Sequence, residues 1–242
     1  MHQASVGFHC PDCVRGSGQR VYRARDLRPG KQATISLLVL NAVLFLAQLS
    51  TSEGVIRTTR GITFDGLLFG PFVADGEYWR LLTSGFLHAN LPHVLFNSWA
   101  LWVFGPLVES VFGRWKMLGV YLAGLFGGSA LVMVFDWSAP TLGASAAVLG
   151  LGGALVASMT ARGMSLRSNS LVGVLAINLL LPLLVPGISF WGHLGGIAGG
   201  FAAGYAVAVL AQRRAGEGQA YAALAVLVAA LAALGAVAAG AG

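Results

Sequence analysis

Charged residues fall along this chain at intervals wide enough to hold a bilayer. Lys31 and Glu53 enclose 21 uncharged residues, Arg80 and Glu109 enclose 28, Lys116 and Asp136 enclose 19, and Asp136 and Arg162 enclose 25. Each interval accommodates a helix of about 20 residues, the length that crosses roughly 30 Å of hydrocarbon. Between Arg167 and Arg213 the uncharged run reaches 45 residues, interrupted by Pro182, Pro186 and Gly187, which divide it into two helices and a tight turn. Residues 218–242, rich in alanine and leucine, supply a last span. The pattern predicts an all-α polytopic membrane bundle of seven transmembrane helices, near 33–51, 92–111, 116–135, 145–161, 169–185, 191–211 and 220–240. No stretch combines the charged, apolar and cleavage regions of a removable signal peptide, so the first helix is expected to act as an uncleaved membrane signal.

Composition agrees with this: 56% of the 242 residues are hydrophobic and 10% are charged, outside the range of soluble domains. The net charge of +6 reports orientation. Basic loops stay cytoplasmic, and 12 of the 15 Lys and Arg residues lie before the first predicted helix or in turns on that same side. Only Arg57, Arg60 and Arg80 lie opposite. The N-terminus is therefore expected in the cytoplasm and the C-terminus outside, in a plasma membrane; a nucleic-acid partner is not needed to explain the charge.

Three units are expected: a basic tail at 1–31, a membrane unit at 32–212 with a long loop at 52–91, and an additional C-terminal helix at 213–242. The tail holds both cysteines, Cys10 and Cys13, in "FHCPDC". A C-x-x-C pair suits zinc, but a closed structural site takes four ligands, and only His9 and His2 are near, neither at the usual spacing. A partial zinc site and a plain turn at Pro11-Asp12 both remain open, as does a start inside a longer protein with a second cysteine pair upstream. The loop at 52–91 is too long for a connector. Its apolar and aromatic residues, with Tyr78, Trp79 and Phe86, suit the membrane-water boundary, and His88 reads as an interfacial structural residue.

Polar side chains inside spans are costly and call for individual explanation. Asn97 precedes Arg114 by 17 residues, Ser145 precedes Arg162 by 17, and His193 precedes Arg213 by 20. At 1.5 Å per residue they stand roughly 25, 25 and 30 Å from the inner boundary. Taken singly, a serine among glycines serves packing, and an Asn or His binds neighbouring helices. Three such groups at one level, near the outer face, point to a shared site. The sixth predicted helix carries Gly192, Gly196, Gly200 and Gly204, with Gly195 and Gly199 beside them; the fourth offers Ala146, Gly150, Gly153 and Ala157. Small residues at four-residue spacing let backbones touch, which would bring Ser145 to His193 as nucleophile and base. No carboxylate flanks His193, so a Ser-His dyad oriented by packing is expected. The free N–H groups where the fourth helix begins at Ser145, with Asn97 and His93 one turn apart, would supply oxyanion donors. A zinc protease is not indicated, since the residues from His88 read "HANLP" rather than H-E-x-x-H.

The segments "GEYWRLLTSGFLHANLPHVLFNSWAL", "GPLVESVFGRWK", "GASAAVLG" and "GHLGGIAGG", in this order between about 64 and 210, are similar to the rhomboid family of intramembrane serine proteases. The resemblance implies a rhomboid-like bundle of six-plus-one type, with Ser145 as nucleophile, His193 as general base, His93 and Asn97 at the oxyanion, and Trp79 and Arg80 in a structural motif of the long loop. It implies no cofactor, transmembrane protein substrates with weakened helices, cleavage near the outer face, and a gate formed by the fifth helix and "VPGISFW". The chain departs from the family pattern in having Ala146 after the serine, Leu149 where an aromatic packs on the histidine, and Gly192 before it; Trp191 could supply the aromatic contact. The alternative is a non-catalytic rhomboid-like binder of transmembrane clients. A small transporter fits less well, because no acid or base pair spans the middle.

Overall fold

The computed structural model describes residues 2–3, 8–9, 31–52, 60–167 and 169–242. Two short strands, β1 (His2–Gln3) and β2 (Phe8–His9), pair antiparallel with His2 opposite His9. Cys10 and Cys13 lie outside the described residues. Seven main helices follow among the described residues: α1 (Gln32–Ser50), α5 (Leu91–Phe112), α6 (Arg114–Phe135), α7 (Ser145–Ala161), α8 (Ser170–Leu180), α9 (Phe190–Gln212) and α10 (Glu217–Ala241). Three short helices, α2 (Ile62–Gly66), α3 (Gly70–Ala74) and α4 (Arg80–Thr83), lie in the loop after α1. The molecule is a membrane-embedded, multi-pass helical bundle.

Punctuation residues set the helix ends. Asn90 accepts the His93 N–H at 2.9 Å to begin α5, with Pro92 in its first turn. Gly113, at φ +80°, alone separates α5 from α6. Ser189 accepts the Gly192 N–H at 3.0 Å and begins α9; these side-chain oxygens satisfy donors that the first helical turn leaves unpaired.

Five helices, α1, α5, α6, α9 and α10, are long and apolar enough to cross a membrane. Of the other two, α7 coincides with the expected 145–161 and α8 is shorter than the expected 169–185. α7 has 17 residues, and α8 has 11 before a 3₁₀ turn at Leu181–Leu183. α8 stops where Pro182 lacks the N–H that would continue it, and α7 starts where the segment before it is paired elsewhere. Leu68 and Thr141 exchange N–H···O bonds of 2.9 and 2.8 Å, and Gly143 donates to the Ser84 carbonyl at 2.9 Å, so residues 141–143 are spent on the loop at 60–90 before α7 begins.

At the centre, α9 packs against α7 on one side and α6 on the other. Its glycines explain both contacts. A Cβ on Gly196 would overlap the Ala146 carbonyl, one on Gly200 the Gly150 carbonyl, and one on Gly204 the Ala154 backbone. On the other face, Cβ atoms on Gly195 and Gly199 would overlap the carbonyls of Gly127 and Ala123. The first stripe meets α7 as the spacing predicts, with Ala154 rather than Ala157 opposite Gly204. The second stripe belongs to α6, a partner the spacing did not identify.

The long loop is folded around Arg80, which is buried at 3% exposure. Its guanidinium donates to the carbonyls of Phe64 and Leu67 at 2.7 and 2.9 Å, pairs with Glu77 at 2.6 Å and covers the Phe72 ring. Neighbouring Trp79 is half exposed and donates to the Asp65 carbonyl at 3.3 Å. His88 is fully buried: the Gln48 side chain of α1 accepts its N–H at 3.0 Å and donates to its carbonyl at 3.0 Å. Glu109, the charge that brackets a span in the sequence, is also buried within α5. Its carboxylate accepts the N–H groups of Ala33 and Thr34 at 3.1 Å each and the Thr34 hydroxyl at 3.0 Å, capping α1 from a neighbouring helix. α10 packs on α6, where the Lys116–Glu217 pair (2.6 Å) closes one end and Trp137 donates to the Ala239 carbonyl at 3.0 Å at the other.

Candidate active site

Ser145 is the first residue of α7, and its approach is prepared by Gly143. Gly143 has φ +130°, a conformation that favours glycine, and a Cβ there would lie 2.7 Å from Cε1 and Nε2 of His93. The absence of a side chain thus lets the His93 ring close over the start of α7. Because α9 lies against α7 at Gly196 and Ala146, His193, one turn before Gly196, faces the serine. Its Nε2 is 3.1 Å from the Ser145 Oγ. Its Nδ1 is 2.8 Å from the main-chain carbonyl oxygen of Asn178 on α8. Since a carbonyl only accepts, Nδ1 carries the proton of the neutral ring, and Nε2 is left to accept from the hydroxyl.

This second bond corrects the expectation that packing alone orients the imidazole. The Trp191 ring, considered for that role, stacks instead on Phe135 with centroids 4.1 Å apart. Leu149 is buried. Ala146 is accommodated without glycine: a side chain on Gly128 of α6 would meet its methyl group at 2.5 Å, so the notch at Gly128 is what receives it.

His93 and Asn97 project from α5 into the same space. Asn97 is buried and donates one Nδ2 hydrogen to the His93 carbonyl at 3.0 Å, leaving the second. His93 Nδ1 accepts the Ala89 N–H at 3.5 Å, which puts the proton of the neutral ring on Nε2, the side nearest Gly143. All four side chains line one cavity of about 740 Å³. It extends between α5, at Trp99 and Val103, and α8, at Val174 and Asn178, with Leu181 of the turn that follows. Trp99, Val103 and Val174 are exposed on the bundle surface, so the cavity reaches the lipid-facing side between these two helices. Trp79 and Arg80 do not line it; Arg80 shapes the loop that holds residues 141–143.

Sequence reading missed the Asn178 carbonyl, the Glu109 cap and the Gln48 clamp on His88. His88 lies between the long loop and α5, and burial, followed by the neighbouring His93 ring, lowers its pKa to about 3. Among the described residues no cluster of three or more His, Cys, Asp or Glu is suited to a metal ion.

Ser145, His193, His93 and Asn97 thus share one cavity within a membrane helical bundle. Residues 75–210, more than half of the chain, match the Rhomboid domain, and the chain belongs to the rhomboid family. It is 35% identical over 201 residues to rhomboid protease GluP of Bacillus subtilis, covering 82% of this chain and 39% of GluP. It is 31% identical over 167 residues to the putative rhomboid protease YdcA of the same organism, covering 67% of this chain and 82% of YdcA. RHOMBOID-like protein 6, mitochondrial, of Arabidopsis thaliana is 28% identical over 220 residues, covering 72% of this chain and 71% of that protein. The chain thus spans well under half of GluP and most of the other two.

Proposed function

We propose that this chain is an intramembrane serine endopeptidase that cuts transmembrane-anchored proteins near the outer face of the plasma membrane. The observation that carries the reading is the 3.1 Å contact between Ser145 Oγ and His193 Nε2 within a cavity that reaches the lipid-facing surface. Ser145 Oγ attacks the scissile carbonyl carbon while Nε2 takes the hydroxyl proton. The carbonyl oxygen becomes an oxyanion and is met by the first-turn N–H groups of α7, the free Nδ2 hydrogen of Asn97 and the Nε2–H of His93. Collapse breaks the C–N bond as the imidazolium returns its proton to the leaving amine. A water molecule, deprotonated by the same Nε2, then releases the acyl group from Ser145.

A peptide bond within a lipid-embedded helix is already hydrogen-bonded and screened, so the substrate must unwind locally before attack. The opening between α5 and α8 is the proposed entry, with α8 and the cap at 181–190 as the gate. Helix-weakening residues in the substrate favour this step. The N-terminus is read as cytoplasmic and the C-terminus as exterior, from the distribution of basic residues. The domain division at 31–32 and 212–213, with α10 as an added helix on the catalytic unit, belongs to the same reading.

Ser145→Ala and His193→Ala should each abolish cleavage of a transmembrane reporter without reducing the amount of protein in the membrane. Wild-type cleavage by either variant would overturn the dyad; a protein that binds reporters but cuts none in any form would be a binder.

A further inference from the structure

For His193 to act as base through Nε2, something must hold its proton on Nδ1. No carboxylate and no cation lines the cavity among the described residues; the other titratable group there is His93 from α5. The partner is the Asn178 main-chain carbonyl, 2.8 Å away. In a continuous α-helix that oxygen would accept the N–H four residues later. Residue 182 is proline, which has no N–H. The chain tightens there into the 3₁₀ turn Leu181–Leu183, in which the Leu184 and Val185 N–H groups both turn to the Leu181 carbonyl. The Asn178 oxygen is thereby left for the imidazole. Its own side chain is occupied within α8, donating to Val174 at 2.9 Å. The last carbonyls of a helix also carry the negative end of its dipole, which suits a ring that becomes cationic during the reaction.

We propose that the Asn178 carbonyl, freed by Pro182, is the positioning group of the Ser145–His193 pair, in the place that a carboxylate holds in a triad. The inference rests on the dyad reading. Because the carbonyl belongs to α8, the base is set only while α8 is seated against the bundle. That seating is slight: Leu175 is the one buried residue of α8, and it occupies the notch at Gly152, where a Cβ would lie 2.8 Å from its Cδ2. Displacement of α8 to admit a substrate releases the imidazole, and its return resets the tautomer before attack. Entry and chemistry therefore alternate at one helix.

The test uses the full chain in detergent with ¹⁵N-labelled histidine and a fluorophosphonate probe. Replacing Leu179 by its α-hydroxy acid makes the Asn178 carbonyl an ester carbonyl and a poorer acceptor; the same replacement at Leu180 also deletes one helix N–H but spares that carbonyl. In the wild type His193 shows the Nδ1–H tautomer. The Leu179 ester is expected to shift it toward a mixture and to slow the maximal labelling rate by about threefold to tenfold, the scale of one hydrogen bond, with probe affinity retained. The Leu180 ester should do neither. Leu175→Ala, which loosens α8 without touching either partner, should shift the tautomer in the same direction. Equal tautomer spectra in the wild type and the Leu179 ester overturn the positioning role, and an unshifted spectrum in Leu175→Ala overturns the coupling to α8. Labelling that persists in His193→Ala would instead remove the dyad reading itself.

Discussion

Gly196 holds the two helices of the candidate site at the separation that the Ser145–His193 contact requires, and alanine there measures that requirement. The added Cβ would lie 2.7 Å from the Cα of Ala146 and still closer to its carbonyl oxygen. Carbon atoms rest at about 3.5 Å or more, so α7 and α9 must part by roughly 0.8 Å at this level. Backbone cannot rotate away as a side-chain tip can. The cost to the fold is about 1–3 kcal/mol, typical of overpacking. The dyad is one residue from Ala146 and one turn from Gly196, so its 3.1 Å contact opens beyond hydrogen-bond range. A misplacement of this size reduces turnover by about 100-fold. Gly204→Ala is the matched control, since its Cβ would lie 2.6 Å from the Ala154 Cα, at the other end of the same interface. Thermal unfolding and cleavage of a transmembrane reporter, measured on both, separate the effects. Similar loss of stability with a large activity loss only in Gly196→Ala is expected. Equal activity in the two variants, or wild-type activity in Gly196→Ala, would refute the link between this glycine and the dyad.

Asn97→Ala should lower kcat by about 100-fold with KM little changed, the scale of one lost oxyanion donor; an unchanged kcat in single-turnover cleavage would count against that role. Glu109→Leu leaves three donors at the start of α1 without their acceptor and should cost about 1–3 kcal/mol, seen as a lower thermal midpoint; equal midpoints would contradict the cap. His88 titrates in the folded protein at about 3, against 6.5 for an unhindered histidine. The unfolded chain therefore takes up the proton first, and stability should decline as pH falls from about 6.5 to 3, by at most roughly 5 kcal/mol from this group. His88→Asn should flatten that decline, and a slope identical to wild type in pH-dependent unfolding would remove His88 as its source.

Much of this architecture is legible from charge spacing, because each span is long and an ionised residue inside it is expensive. α1, α5, α6, α9 and α10 lie within a few residues of the predicted limits. α7 coincides with its predicted limits, while the early end of α8 is less visible: Pro182 marks a break in the uncharged run but not the 3₁₀ turn at Leu181–Leu183 that replaces the helix. The three short helices near Arg80 are too brief for any periodicity to register. Glycine spacing indicates that α9 approaches another helix closely, but a stripe on a cylinder does not reveal which neighbour each side meets, and the Gly195–Gly199 stripe finds α6. Ser145, His193, His93 and Asn97 stand out because each is a polar group in an apolar segment. The Asn178 carbonyl does not, being main chain; its signal is indirect, a proline four residues after a helical residue. Glu109 misleads for the opposite reason, since a carboxylate in an apolar stretch reads as a boundary until the donors that surround it are known.

The central claim is that Ser145 is a nucleophile activated by His193. It is tested most directly by treating the full chain with a fluorophosphonate and locating the adduct by mass spectrometry. The account predicts a single modified residue, Ser145, and no adduct when His193 is alanine. An adduct on a different residue, or undiminished modification of Ser145 in His193→Ala, would contradict it.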